Sequence, residues 1–291
     1  MRVIGANSES QKVAPLPGQR KAALLAFQKV FATCNIAINT ARSQAPGSKR
    51  NFQILVREIP QQGKSITFQP LDQKIPSVDL NKFLGEGYRF IHGSSNLTHT
   101  VNKTVALPTD RKYSATFPYD ALHETSHSRR EGSERFVDNS DYMKAIQKRF
   151  ADPEGSSATI LGIVESISPA GFIAQERRAA IIALLRGEMS PADYLSAEDR
   201  LTAQSEHTSW RFAEEQTLAM ECQGYAFCFP PEERSAYAQN CLMGSDLGTL
   251  LAQITRGDSP QKIREYKPVY VMDAAYTERV KTLVAQIAAV V

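Results

Sequence analysis

Apolar side chains between Gln19 and Ala41 (Ala22, Leu25, Phe27, Val30, Phe31, Cys34, Ile38) recur at three- and four-residue intervals, the spacing of one helical face, and predict an amphipathic helix. Residues 1–18 before it are polar, with Pro15 and Pro17, and predict an unstructured leader. The period then shortens. NFQILVREI and SITFQPL, rich in β-branched and aromatic residues and joined by PQQGK, predict a two-stranded hairpin. A short helix from Leu80 to Leu84 closes at Gly85, Tyr88 to His92 reads as a strand, SSN as a turn, and Thr100 to Leu107 as a second strand ended by Pro108. After the polar loop TDRKYSAT a helix is predicted to start near Pro118, a residue suited to a first helical turn.

The second half is helical in pattern. DYMKAIQKRF, GSSATILGIVESIS, AGFIAQERRAAIIALLRGEM and SPADYLSAEDRLTAQ follow one another, the last with Ser190 as N-cap and Pro191 at the first helical position. A further helix is predicted from Trp210 to Phe229, stopped by Pro230 and Pro231, and a last one from Ala274 to Val290. These elements define an α+β chain: a small antiparallel or mixed sheet beside one motif-bearing helix, and a largely helical C-terminal half.

Length and composition narrow this little. The 291 residues, 42% of them hydrophobic, suffice for one large or two small domains with a real core. No uninterrupted apolar run approaches the roughly 18 residues that span a bilayer, and the N-terminus lacks an apolar signal core, so no membrane partner is expected. The expected location is the cytoplasm, or another cell reached by a route that needs no signal. Four cysteines without a CxxC pair predict reduced, mostly buried thiols rather than a disulfide scaffold. The net charge of +3 conceals an asymmetry, because residues 1–64 hold ten Lys/Arg against only Glu9 and Glu58. That segment is the one electrostatic footprint a nucleic acid could use.

The chemistry is concentrated in residues 123–127, His-Glu-Thr-Ser-His. On a helix, residues four apart share a face, so the imidazoles of His123 and His127 can meet one Zn²⁺ while Glu124 serves as general base toward a water on the metal. With five histidines in the chain, a chance HExxH is expected roughly 0.006 times. The third ligand is open. The HxxGxxH continuation is absent, since Ser128-Arg129-Arg130-Glu131-Gly132-Ser133 follows His127. A glutamate from a later helix is the other solution, and RFAEEQTLAMECQGYAFCFP offers Glu214, Glu215 and Glu221. Glu221 is expected first, with Gly224, Phe227 and Cys228 after it in the layout of a buried ligand helix; Glu214, two turns earlier on the same face, is second, and Glu165 in ILGIVESIS stands further out. Tyr225, four residues beyond Glu221, is a candidate phenol donor to a developing oxyanion. His92 is expected to be a hydrogen-bonded structural residue, and Asn102 to Leu107 an edge strand to which an extended peptide could add.

FLGEGYRFIHG, TVALP, the aromatics Tyr113, Phe117 and Tyr119, LHETSHSRR, ERF and AMECQGYAF, in this order, resemble the zincin-like metallopeptidase domain of ArdC-type antirestriction proteins. The resemblance implies a zincin-like fold over residues 76–291 and peptide hydrolysis, with His123, His127 and Glu221 as zinc ligands and Glu124 as the catalytic base. It also implies an N-terminal region, residues 1–75, that binds single-stranded DNA through its basic residues 1–64, whereas a largely helical stretch at about residues 155–210 departs from the family and reads as an insertion. Where the family has paired glutamates, alignment on Glu221 places Gln216 and Thr217.

Overall fold

The computed structural model describes residues 17–43, 50–99, 102–130, 158–166, 172–256, 260–271 and 273–289. Helix α1 (Pro17–Ser43) precedes strands β1 (Phe52–Ile59), β2 (Gly63–Pro70) and β3 (Val78–Asp79), a 3-10 turn (Leu80–Phe83), and strands β4 (Arg89–His92), β5 (Leu97–His99) and β6 (Thr104–Leu107). Helices follow: α2 (Phe117–Arg130), α3 (Ala158–Ser166), α4 (Phe172–Arg186), α5 (Pro191–Cys222), α6 (Pro231–Arg256), α7 (Pro260–Arg264) and α8 (Ala274–Ala288). The expected helix DYMKAIQKRF and the ERF segment lie outside the described residues, as does most of the basic leader.

The chain divides into two units, one of residues 1–36 and 243–291 and the other of residues 37–242. The expected boundary near residue 75 does not coincide with this division. β1 and β2 form the predicted hairpin, in register from Phe52↔Pro70 to Ile59↔Gly63, and join the same sheet as the later strands. The order is β1-β2-β4-β6-β5, antiparallel except for the parallel pair β4–β6, with β3 attached to β2, so the fold is α+β with a small mixed sheet. Phe52, Phe68 and Phe90 are buried, as apolar alternation on a half-covered sheet requires. The aromatics of the hairpin therefore serve the core rather than an exposed stacking platform.

Of the strand expected from Thr100 to Leu107, Thr104–Leu107 is β6, and a further strand, β5, precedes it. A turn with Lys103 at φ 48 leads into β6, which pairs antiparallel with β5. β6 is consequently an interior strand with all four residues buried, and the edge on this side of the sheet is β5, not Asn102 to Leu107.

Helix α2 lies against β5, β6, the 3-10 turn and α5. Every residue from Phe117 to Ser128 is buried, although half are polar. Burial on all sides is tolerable because most of those polar groups find partners. Thr125 Oγ1 donates to the Leu122 carbonyl at 2.7 Å and Ser128 Oγ to that of Thr125 at 2.7 Å. Ser128 Oγ also accepts the Gly85 N–H at 3.0 Å, and the approach is so close that a Cβ on Gly85 would stand 2.0 Å from the Ser128 carbonyl oxygen. The glycine that ends the first short helical segment thus lets the chain pass under α2. Asp120 accepts from Tyr237 Oη at 2.8 Å and Thr116 Oγ1 at 3.1 Å.

In the other unit the carboxylate of Asp246 is fully buried and closes a circuit of its own. It accepts Tyr266 Oη (2.8 Å), Val269 N–H (2.7 Å), Tyr270 N–H (3.2 Å) and Tyr276 Oη (2.5 Å), over a core of Leu250, Ile254, Ile263, Val280 and Ile287. In α1 the stretch Lys21–Arg42 is, by length and mean hydropathy alone, apolar enough to cross a bilayer, which a search for an uninterrupted run does not register. Its Ala23, Phe27, Val30 and Ile38 are buried, the face an amphipathic core helix presents. Cys222, Cys228 and Cys241 are in no disulfide among the described residues; Cys222 is exposed and the other two half-buried, less buried than the sequence leads one to expect.

Candidate metal centre

The i, i+4 spacing of His123 and His127 on α2 brings their Nε2 atoms to 3.1 Å, with the rings edge to face at 82°. The third group is Glu206, from α5. Its Oε2 stands 3.3 Å from His123 Nε2 and its Oε1 3.4 Å from His127 Nε2, and one ligand atom from each of the three residues falls within 4.8 Å of the others. Both histidines are buried.

N–H···O bonds are usually 2.7–3.2 Å, so both carboxylate contacts are long hydrogen bonds. Ligands at 2.0–2.1 Å from a tetrahedral ion lie about 3.3 Å from one another; each imidazole nitrogen stands about that far from one of the two Glu206 oxygens, and a single ligand atom from each residue lies within 4.8 Å of the others, close enough for small side-chain adjustments to seat one ion. The donor set, two imidazole nitrogens and one carboxylate oxygen, is that of catalytic zinc sites and leaves one position open. The residues present fit the ion.

The surroundings hold the imidazoles in place. His127 Nδ1 lies 3.1 Å from Ser205 Oγ, one residue before Glu206, so α5 supplies both an acid and an orienting hydroxyl. A hydrogen bond donated from Nδ1 leaves the Nε2 lone pair free for a metal. His123 Nδ1 is buried without a partner; the ring instead stacks on Trp210 at 3.8 Å and 30°. Glu206 is subject to opposing effects. Burial raises its carboxyl, but hydrogen bonds and charge from His123 and His127 prevail and hold it well below the ordinary carboxylate range.

Glu124, next to His123, is buried and bridged to the edge strand. Thr98 Oγ1 lies 2.8 Å from Glu124 Oε2 and 3.0 Å from the Glu124 carbonyl oxygen, a shared donor to both acceptors. The central residue of β5 thereby fixes the carboxylate beside the histidine pair.

The other expected site residues are elsewhere. Glu221, expected as the third ligand, and Glu214, its alternative, enclose Arg234 of α6, a fully buried residue. The guanidinium donates Nε and Nη2 to Glu214 at 2.8 Å each, Nη1 and Nη2 to Glu221 at 2.9 and 3.3 Å, and Nη1 to the Phe229 carbonyl at 2.8 Å. Two turns of spacing do place these acids on one face, as the sequence indicates, but the cation they share is an arginine. Glu215 is exposed, 3.6 Å from Arg211, and Glu165 pairs with Arg186. Tyr225 Oη donates to the carbonyls of Phe68 (3.1 Å) and Pro76 (2.8 Å), tying the end of α5 to β2. His92 Nδ1 is bonded to Thr109 Oγ1 at 2.9 Å, in the structural role expected.

Glu206 was hidden because QSEHTS looks like a polar break between two helices. Instead α5 runs unbroken for 32 residues, and its buried Leu201, Ser205, Ser209, Ala213 and Thr217 recur every fourth position. The expected insertion at 155–210 therefore ends within the helix that supplies the acid. No protein-family model, curated protein or solved structure matches the chain.

Proposed function

We propose that this protein is a zinc-dependent metallopeptidase with a zincin-like arrangement, in which His123, His127 and Glu206 hold the ion and Glu124 is the general base. The convergence of two buried imidazoles and one half-buried carboxylate, with one ligand atom from each within 4.8 Å of the others, carries the reading. Bound zinc would polarise the scissile carbonyl and acidify a water in the open position. Glu124, held by Thr98, takes the proton of the attacking water and returns it to the leaving amine. Ser205 keeps His127 oriented, and Trp210 walls the other side of the His123 ring. The resemblance to the ArdC-type peptidase domain supports the same reaction, with Glu206 in place of Glu221 as the acid.

The sole tryptophan of the chain is the one stacked on His123, so metal entry is expected to change its fluorescence. Zinc titrated into metal-free protein should give a saturable change at one ion per chain, matched by elemental mass spectrometry, and His123→Ala should abolish both. Metal-loaded wild type should cleave an unfolded protein such as casein while Glu124→Gln does not. A wild-type chain that takes up no divalent ion ends the reading.

A further inference from the structure

One turn before the base, α2 borders a polar cavity that peptide-bond hydrolysis leaves unused. Its volume is about 60 Å³, and its walls come from the β4–β5 turn, the segment between β6 and α2, and Arg42. Such a space holds several waters or one small polar group.

Two arginines, half-buried Arg42 and exposed Arg111, are among the residues that line it. Arg42 commits Nε to Tyr237 Oη at 2.8 Å and stands 3.9 Å from the Asp120 carboxylate, while its terminal nitrogens have no partner among the described residues. The guanidinium of Arg111 has none there either. The carboxylate in the wall, Asp120, already accepts from Tyr237 and Thr116. Two cations against one committed anion leave the lining net positive, which suits a planar bidentate acceptor.

We propose that this cavity is a substrate subsite that takes a carboxylate of the peptide, from an acidic side chain or a chain terminus. Its position fits. Asp120 and Glu124 are four apart on α2, about 6 Å, and Asn96 and Thr98 are two apart entering β5, about 7 Å. An extended peptide covers that distance in about two residues, so the carboxylate falls within about two residues of the scissile bond. This rests on the peptidase reading, and the test separates the two.

The probes are end-blocked alanine hexapeptides with one Glu or Gln at each position in turn, and the same peptides with a free C-terminus. Binding is measured calorimetrically on zinc-loaded Glu124→Gln, and cleavage on zinc-loaded wild type. A Glu peptide should bind about tenfold tighter than its Gln counterpart at one position, or the free terminus tighter than the amide, and the pattern tells which source the pocket takes. Arg111→Ala should abolish the preference, and Arg111→Glu should reverse it toward a Lys peptide. Equal binding of all peptides, or a preference that survives both Arg111 variants, overturns the subsite. Carboxylate-dependent binding with no cleavage of any peptide overturns the peptidase and leaves the subsite standing; cleavage without such a preference does the reverse.

Discussion

Helix α5 carries two carboxylate arrangements a few turns apart, and they are built on opposite logic. Around Arg234, two carboxylates meet a cation supplied by the chain, and all five guanidinium N–H groups are used at ordinary hydrogen-bond lengths or close to them. Around Glu206, one carboxylate meets two imidazoles whose nitrogens also face each other, all at 3.1–3.4 Å. The first arrangement is complete in itself. The second is a donor set that a cation from outside would complete. An acid on the correct face of a helix is therefore not enough to mark a metal ligand; the partner that the rest of the fold brings to it decides.

The contrast is broken most directly by exchanging the acids. Glu206→Ala is expected to weaken zinc binding by a hundredfold or more, roughly the loss of a ligand, whereas Glu221→Ala keeps one zinc per chain. Zinc lost in Glu221→Ala and kept in Glu206→Ala would invert the assignment. Arg234→Ala should be the mirror image. It leaves two carboxylates facing each other without their cation and should lower stability by on the order of 3 kcal/mol in urea unfolding, with zinc affinity in the folded state unchanged.

A smaller effect is expected at Thr98. Thr98→Val removes the hydroxyl that holds the Glu124 carboxylate and should reduce kcat about tenfold with metal content intact, while Thr98→Ser restores most of it. Unchanged kcat in the valine variant would mean that the base needs no such tether.

The smallest is a pH effect on the metal-free protein. The Glu206 carboxyl is held below its ordinary value of 4.5, so its stabilising contribution is complete above that pH and is lost as pH falls through the lower folded value. Thermal unfolding from pH 6 to pH 3 should therefore fall more steeply in wild type than in Glu206→Gln, and identical slopes would show that the histidines do not stabilise the carboxylate.

Much of this was legible in the residues. Period places α1, β-branched and aromatic composition with a polar turn places the β1–β2 hairpin, Pro118 after a polar loop places α2, and the HExxH spacing singles out His123, Glu124 and His127. Two features were not legible, for definable physical reasons. The edge of the sheet depends on Lys103 adopting a left-handed backbone, which lysine does not advertise. Glu206 depends on a buried stripe of serine, alanine and threonine, residues small enough for α5 to approach α2 closely yet counted as polar by any hydropathy pattern. Such side chains are tolerated inside because they can return their hydroxyls to the backbone, as Thr217 does to the Ala213 carbonyl at 2.8 Å. The small and apolar residues after Glu221 mimic the layout of a ligand helix, but the acids of that stretch hold Arg234.

The contact between His127 and Ser205 joins residues 78 apart in the chain. An ion seated beside it would close that span like a clasp and would bind only the folded chain, because the two halves of its ligand set part on unfolding. Occupancy would then be a dial on stability: free zinc at a thousand times its dissociation constant would add about 4 kcal/mol. The span between the halves is free to vary, since each doubling of a flexible loop costs only about 0.6 kcal/mol. Chelation should undo the clasp without cutting the chain, and ageing in a chelator, rather than heat, should be the gentlest way to open this protein.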